Sequence, residues 1–423
     1  MFNLGKNHGP RIAAGQPYGP GAQITRRAAD RLRAGHLWVY KSDVETLVPR
    51  SGETGVDAGS LVTVLDSRGI PLGTALYSSA SQIMLRLVSR ESELTRLDYL
   101  GQLRERVMAA LALRDELAPS SAMNDACRLV FSEADGLPGV VADRYNDLVV
   151  LQLLTQGTAQ DDVRTALIEA LVERLGSGIV VWERPDAKIR ELEELAAPAT
   201  GALYGGSEHT ATVFNINGLR FHFDAGSGQK TGAFLDQRLN YAAAARYAKG
   251  VGLDVCTYQG GFALHLAERC ERVTGVDASR AALEVADRNR ELNAGLPAKV
   301  DWIEADAFEL LREYELTGKE YDTIVLDPPA FAKSKRAAEG ALRGYKELNL
   351  RAMKMLRPGG TLVTCSCSHH VPLADFTEVV ASAASDADKR AQVLEIRGAA
   401  PDHPAVLTLP ETSYLKCLIC RVG

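Results

Sequence analysis

Apolar positions recur along this chain with two different periods, and the places where the period changes divide it into segments. From about residue 24, short β-rich runs such as Leu61-Val62-Thr63-Val64-Leu65 and Ile83-Met84-Leu85-Arg86-Leu87-Val88 lie between Gly, Ser and Asp turns. That pattern predicts a small β-barrel over residues 24–95. Apolar residues from Leu97 to Leu117 then follow helical spacing. Beyond it, two strand-like runs separated by Asn146-Asp147 predict a hairpin, followed by a helix over Asp161–Leu175 and a strand at Ile179–Glu183. These elements make a small central α/β domain over 96–205. A hairpin from Thr212 to Phe223, with Asn217-Gly218 as a type I′ turn, opens a third segment over 206–423. In it, helices and apolar strands alternate from Tyr241 onward, which calls for a parallel sheet covered by helices on both faces. The expected fold class is therefore multi-domain α/β: an N-terminal barrel, a small central α/β domain and a C-terminal Rossmann-like domain.

Composition narrows the setting. The chain has 423 residues, 46% hydrophobic and 24% charged, with no apolar run long enough to span a bilayer, so no membrane association is expected. Residues 1–23 are rich in Gly, Pro and Asn and read as a flexible tail, not a secretory signal. Seven scattered cysteines do not suit a disulfide framework, and a cytoplasmic location is expected. The net charge is −6, yet residues 1–50 carry eight Lys or Arg against three acids, and residues 333–357 carry eight against two. Two local basic patches on an acidic chain are compatible with phosphate contacts and equally with solvated faces.

Candidate chemistry concentrates in the third segment. The strand Val251–Val255 runs into Cys256-Thr257-Tyr258-Gln259-Gly260-Gly261-Phe262 and then a helix expected over Ala263–Cys270. Paired glycines at such a turn let backbone approach a ligand closely. Acids recur at successive strand ends: Asp254, Asp277, Asp306 and Asp327, spaced 23, 29 and 21 residues apart. Each interval is about one strand–helix unit, so the four carboxylates are expected at the carboxyl edge of the sheet. Asp277 suits ribose hydroxyls and Asp306 an adenine amino group, with Ala278 and Ala307 beside them. The loop lacks the Gly-x-Gly-x-x-Gly pattern of pyrophosphate binding. An acid-lined pocket fits the cationic sulfonium of S-adenosyl-L-methionine better than a dinucleotide. Taken singly, each Asp also reads as a helix cap or turn residue.

The loop Asp327-Pro328-Pro329-Ala330-Phe331 falls where the methyl acceptor should lie. Proline stiffens it, and Phe331 offers a ring to a planar substrate. Ala330 stands where amine-directed enzymes carry an aromatic residue. After Pro358-Gly359-Gly360 and the strand Thr361–Thr364 come Cys365-Ser366-Cys367-Ser368-His369. Strand periodicity puts Cys365 and Cys367 on one face, with Cys367 nearer the strand end. Without further information either thiol reads as buried and inert. Cys417 and Cys420, three apart in the last strand, face opposite sides, so no metal site is expected from the cysteines.

Two resemblances sharpen this reading. Arginines followed by Gly35-His36-Leu37-Trp38-Val39-Tyr40 resemble the opening of a PUA domain, a small RNA-binding barrel, which points to Arg33, His36 and Trp38 as RNA contacts. Asp135-Gly136-Leu137-Pro138-Gly139, Gly228 to Asn240, Asp254 to Phe262, Asp327 to Phe331 and Asp402-His403-Pro404 together resemble the PUA-containing ribosomal RNA large-subunit cytosine-C5 methyltransferase family. The resemblance implies a class I methyltransferase domain with cofactor contacts at Phe234, Asp236, Gln237, Asp254, Tyr258, Gly260, Gly261, Phe262, Asp277 and Asp306. It implies ribosomal RNA as partner, Cys367 as nucleophile assisted by Asp327, and substrate contacts at Pro328, Pro329, Phe331, Lys333 and Lys335. A homodimer is compatible with it. The group that removes the C5 proton stays open among Asp327, His369, His403 and water. Methylation of another acceptor, such as a guanine nitrogen or a protein, and a non-catalytic RNA-binding role in assembly are the rival readings.

Overall fold

A computed structural model describes residues 10–12, 20–196, 201–226, 232–332 and 335–423. The tail expected over residues 1–23 lies largely outside the described residues, although Arg11–Ile12 (β1) and the chain from Gly21 are strand. Contacts group the chain into two compact units. One comprises Met1–Leu117, Cys127–Thr210 and Ala405–Thr412; the other comprises Ala118–Ala126, Ala211–Pro404 and Ser413–Gly423.

The first unit begins with β2 (Gly21–Ile24), α1 (Arg26–Arg33), β3 (Trp38–Tyr40), β4 (Val44–Val48), β5 (Leu61–Leu65), β6 (Pro71–Tyr77) and β7 (Ile83–Ser89). With β1 these strands form a curled seven-stranded sheet in the order β1-β4-β2-β5-β6-β7-β3. Thr25 caps α1, its hydroxyl accepting from Ala28 N at 3.3 Å. The helix then buries Ala28, Ala29 and Leu32 with Ile24, Val62, Val64, Ala75 and Leu85 from the strands.

The same unit continues through α2 (Arg96–Leu117), β8 (Ala126–Phe131), β9 (Val140–Tyr145), β10 (Leu148–Leu153), α3 (Asp161–Leu175), β11 (Val180–Glu183), α4 (Ala187–Leu192) and β12 (Ala202–Tyr204). The expected hairpin forms from β9 and β10, with Tyr145 opposite Leu148 and Asn146 at φ 54° in its turn. The motif Asp135-Gly136-Leu137-Pro138-Gly139 acts here as structure. Asp135 is gripped bidentately by Arg114 of α2 at 2.6 and 2.8 Å and also accepts from Phe131 N at 2.6 Å. Gly136 supplies a left-handed turn at φ 67°.

The second unit contains the hairpin β13 (Ala211–Ile216) and β14 (Leu219–Asp224), turned by Asn217 and Gly218 at φ 52° and 84°. Asp125 holds β13 by accepting from the main-chain and side-chain nitrogens of Asn215, both at 2.6 Å. Then follow α5 (Arg238–Tyr247), β15 (Val251–Val255), α6 (Gly261–Leu266), β16 (Arg272–Asp277), α7 (Arg280–Leu292), β17 (Lys299–Glu304), α8 (Ala307–Leu316) and β18 (Tyr321–Leu326). The chain closes with α9 (Ala338–Met355), β19 (Leu356–Ser366), α10 (Leu373–Asp386), β20 (Ala391–Arg397) and β21 (Lys416–Val422).

These strands form one sheet in the order β17-β16-β15-β18-β19-β21-β20, parallel except where β21 runs antiparallel to both neighbours. The direction of winding reverses between β15 and β18, and the carboxyl ends of those two strands define the crevice for a ligand. Two expectations shift. The helix after β15 starts at Gly261 and ends at Leu266, not Cys270, because the glycine pair itself forms the helix start. β19 includes Pro358-Gly359-Gly360, since β18 pairs with it from Leu356 across a register shift.

Arg114 and Asp135 are 2% and 4% exposed, and deleting one partner leaves a buried charge. Arg114→Ala is expected to destabilise the first unit by about 3–5 kcal/mol in urea melts; a loss below about 1 kcal/mol would contradict this role.

Candidate active site

β15 delivers Asp254 to the centre of the sheet with no solvent exposure. Its Oδ2 accepts from the Thr257 hydroxyl at 2.5 Å and from Ala263 N, inside α6, at 2.9 Å. One carboxylate thereby folds the chain back on itself. Between these two anchors, Cys256, Tyr258 and Gly260 take left-handed backbone at φ 64°, 51° and 84°. Two of the three are not glycine, which costs about 1–3 kcal/mol each and marks a loop held in shape by its surroundings. Tyr258 N donates to Asp277 Oδ2 at 2.9 Å, and Thr257 N to Val276 O at 2.9 Å. The glycine pair makes room for protein side chains. A Cβ at Gly260 would lie 2.9 Å from the Trp302 ring, and one at Gly261 would lie 2.6 Å from the Tyr241 ring.

The acids at the strand ends share an edge but do different work. Asp254 Oδ1 is buried without a hydrogen-bond partner among the described residues, and burial pushes its carboxyl up to about 7 against the pull of Thr257 and Ala263. Asp277, half-buried, accepts from Tyr258 N and, through Oδ1, from Ser279 N at 2.9 Å. Asp306 is exposed and caps α8, its Oδ1 accepting from Phe308 N and Glu309 N at 2.9 and 3.1 Å. Ala278, exposed, follows Asp277, and Ala307 opens α8. Asp327 Oδ2 accepts from Gln237 Nε2 at 3.0 Å. Gln237 is in turn fixed by Asn240 Nδ2 at 2.6 Å, and Asn240 by Arg397 Nε at 2.8 Å. Asp236 accepts from the Tyr414 hydroxyl at 2.6 Å.

One pocket gathers Phe234, Tyr258, Gly261, Phe262 and Asp327 in its wall. The rings of Phe234 and Tyr258 stand 5.0 Å apart, and Phe234 is 40% exposed. Among the remaining wall residues, sequence reasoning did not reach Ile216, Phe221 and Tyr241. The first two come from the β13–β14 hairpin, whose apolar alternation reads as ordinary core. Aromatic walls beside the Asp327 carboxylate fit a ligand that is cationic, apolar and aromatic. S-adenosylmethionine has that character.

On the far side of Asp327 lies the acceptor loop. The Cys367 Sγ sits just past the end of β19, 4.0 Å from the Pro328 carbonyl oxygen. Burial pushes this thiol up to about 11, with Asp327 and Asp236 adding to the push and Lys416 opposing it. A buried hydroxyl chain ties the two loops: Ser366 Oγ donates to Tyr345 Oη at 2.9 Å, Tyr345 Oη lies 3.0 Å from Ser368 Oγ, and Ser368 Oγ accepts from Ala332 N at 3.2 Å. Phe331 is engaged with Tyr345 and Phe308, centroids 4.9 and 5.9 Å away. Its ring braces the loop through these contacts, while Pro329 is the loop residue that stands exposed. Cys365 pairs directly with Cys417 across β19–β21, and both are buried.

The predicted RNA contacts have partners within the chain. Arg33 binds Asp66 at 2.6 Å, His36 Nδ1 accepts from Trp38 N at 3.1 Å, and the Trp38 indole donates to Glu133 at 2.9 Å. Lys333 lies outside the described residues, and Lys335 opens a single turn over Lys335–Ala337. Farther along α9, Arg343 pairs with Glu339, Lys346 with Asp386 and Arg351 with Glu315.

Counted from β15, the sheet order is 3-2-1-4-5-7-6 with the seventh strand reversed, and the pocket lies at its switch point. Fold and site define a class I S-adenosylmethionine-dependent methyltransferase. Residues 158–419 match the family model for S-adenosylmethionine-dependent methyltransferases, and residues 22–90 match a PUA-like domain. Ribosomal RNA large subunit methyltransferase I of Photobacterium profundum is 39% identical over 398 residues, 92% of this chain and 96% of that protein. The protein of the same name from Erwinia tasmaniensis is 38% identical over 390 residues, 92% and 95% of the two chains. The chain belongs to the ribosomal RNA large subunit methyltransferase I family. A proposed SAM-dependent methyltransferase from Streptococcus mutans shares the fold, with a TM-score of 0.78 at 18% identity over 95% of this chain and 100% of its own.

Asp254 yields a pH test. Its carboxyl titrates near 7 when folded and near 4 when unfolded, so its contribution is present below about pH 4 and lost as pH rises through about 7. Asp254→Asn is therefore expected to stabilise the cofactor-free protein by about 1–3 kcal/mol at pH 8 and hardly at pH 4. Equal shifts at both pH values in denaturant melts would sink this assignment.

Proposed function

We propose that this enzyme forms 5-methylcytosine in large-subunit ribosomal RNA, with Cys367 as the nucleophile. The observation that carries the reading is the placement of Cys367 Sγ at the mouth of the Asp-Pro-Pro loop, 4.0 Å from the Pro328 carbonyl oxygen. C5 of cytosine is a poor nucleophile until C6 is attacked. The thiolate adds to C6, and the ring electrons move to C5, which takes the methyl group. Loss of the C5 proton then restores the double bond as the C6–S bond breaks and its electron pair returns to sulfur. S-adenosylmethionine, when bound, supplies the electrophilic methyl group. Phe234 and Tyr258 are the residues that would flank it, and Gln237 holds the Asp327 carboxylate between the cofactor pocket and the thiol.

The rigidity of the acceptor side supports this reading. The Ser366–Tyr345–Ser368 chain fixes the cysteine loop against the acceptor loop, as geometry-sensitive attack requires. The names of the relatives supply the substrate class, and a PUA-like domain fits an RNA partner met in the cytoplasm. The target cytosine must be unstacked before a thiolate reaches C6.

Cys367→Ala is expected to lower 5-methylcytosine formation at least about 10³-fold, read by nucleoside mass spectrometry, while calorimetric cofactor affinity stays within about threefold. Methylation at the full rate would rule the covalent route out, and a different methylated nucleoside would replace the acceptor. Neutralising Lys333, Lys335 and Arg336 together is expected to weaken RNA binding and to flatten its log-affinity dependence on log salt by about 2. An unchanged slope would remove that segment from the RNA interface.

A further inference from the structure

Lys416 is the one charged residue in the core of β21, only 8% exposed, and nothing in the chain's alternating pattern marks it as functional. Its ammonium donates to the carbonyl oxygens of Ser368 and Tyr414, each at 2.7 Å. Ser368 follows Cys367 directly. Register places Lys416 opposite Ser366, one residue before Cys367. Among the described residues no carboxylate lies within ion-pair distance of this ammonium. A buried, unpaired cation is costly and needs a reason to persist. Two main-chain carbonyls account for two of its three N–H groups, leaving one without a partner among the described residues.

The charges facing Cys367 come from four elements. Asp327 stands at the end of β18, Asp236 before α5, Tyr345 on α9 and Lys416 on β21. Both carboxylates disfavour a thiolate, Tyr345 is a neutral phenol, and Lys416 alone among these opposes them.

We infer that Lys416 is a positioning residue for the Cys367 nucleophile: its buried ammonium, fixed by the carbonyls of Ser368 and Tyr414, is the counter-charge that allows the thiolate to exist beside two carboxylates. The inference deepens the covalent reading and rests on it for its catalytic meaning. Below about pH 8 the ionisation step releases the thiol proton to solvent, and Lys416 keeps its own proton. Burial pulls the Lys416 ammonium down to about 8, and a neighbouring thiolate draws it back up, so the two groups titrate as a linked pair.

The test reads the thiol directly in the full chain, without RNA or cofactor. The rate at which iodoacetamide alkylates Cys367 is followed by peptide mass spectrometry from pH 6 to pH 10. Three variants are compared with the wild type: K416Q, which keeps a donor and drops the charge; K416M, which drops both; and K416R, which keeps the charge. K416Q and K416M should alkylate at least about fivefold more slowly at pH 7.5, and K416R within about twofold of wild type. In the wild type alone, log rate should climb with unit slope below about pH 8 and less steeply above it, as Lys416 loses its proton. That last reading needs no variant to fold. Equal rates in K416Q and K416R, or unit slope through pH 10, would overturn the inference. Because alkylation is independent of methyl transfer, failure of the covalent reading appears separately, as full methylation by the Cys367→Ala variant.

Discussion

The carboxylate of Asp254 is the constraint on which the catalytic unit depends. A charged side chain at the centre of a parallel sheet is expensive, and this one is kept because it bends the chain. By accepting from Thr257 and from Ala263 N it closes the loop between β15 and α6. Cys256 and Tyr258 then hold backbone conformations that they would otherwise avoid. The loop in turn presents Tyr258 to Phe234 and receives support from Asp277. The part of the pocket wall formed by Thr257, Tyr258, Gly261 and Phe262 follows from one buried hydrogen-bonding group.

The acceptor side is organised by the same economy of few polar groups in a dry interior. Gln237 connects Asp327 to Asn240 and, through it, to Arg397. Tyr345 connects Ser366 to Ser368. The first network holds the Asp327 end of the acceptor loop, and the second ties that loop, through Ala332 N, to the cysteine loop. Low local dielectric strengthens such bonds and also penalises a lone thiolate. The raised thiol of Cys367 and the lowered ammonium of Lys416 are two expressions of that penalty.

Reading the chain from its pattern succeeded where local rules dominate. The hairpins at Asn146-Asp147 and Asn217-Gly218, the helix over Asp161–Leu175 and the alternation of strands and helices after Tyr241 all follow from turn chemistry and period. The phased acids were legible because one strand–helix unit has a nearly fixed length. Which acid does what was not legible. Asp306 as a helix cap, Asp277 as a brace for Tyr258 and Asp254 as a buried anchor are distinguished by burial and by partners far along the chain.

The sequence by itself determined the order of elements and the residue types at the strand ends, because these depend on spacing and local preference. Tertiary structure decided which groups meet. It brought Lys416 opposite Ser366, the neighbour of Cys367, across a β19–β21 pairing of residues 50 positions apart, and it turned Ile216 and Phe221 of a hairpin into pocket wall. It also set the partly buried Phe331 against Tyr345 and paired Arg33 with Asp66. Contacts of this kind are set by sheet order and register, which no local window of sequence contains.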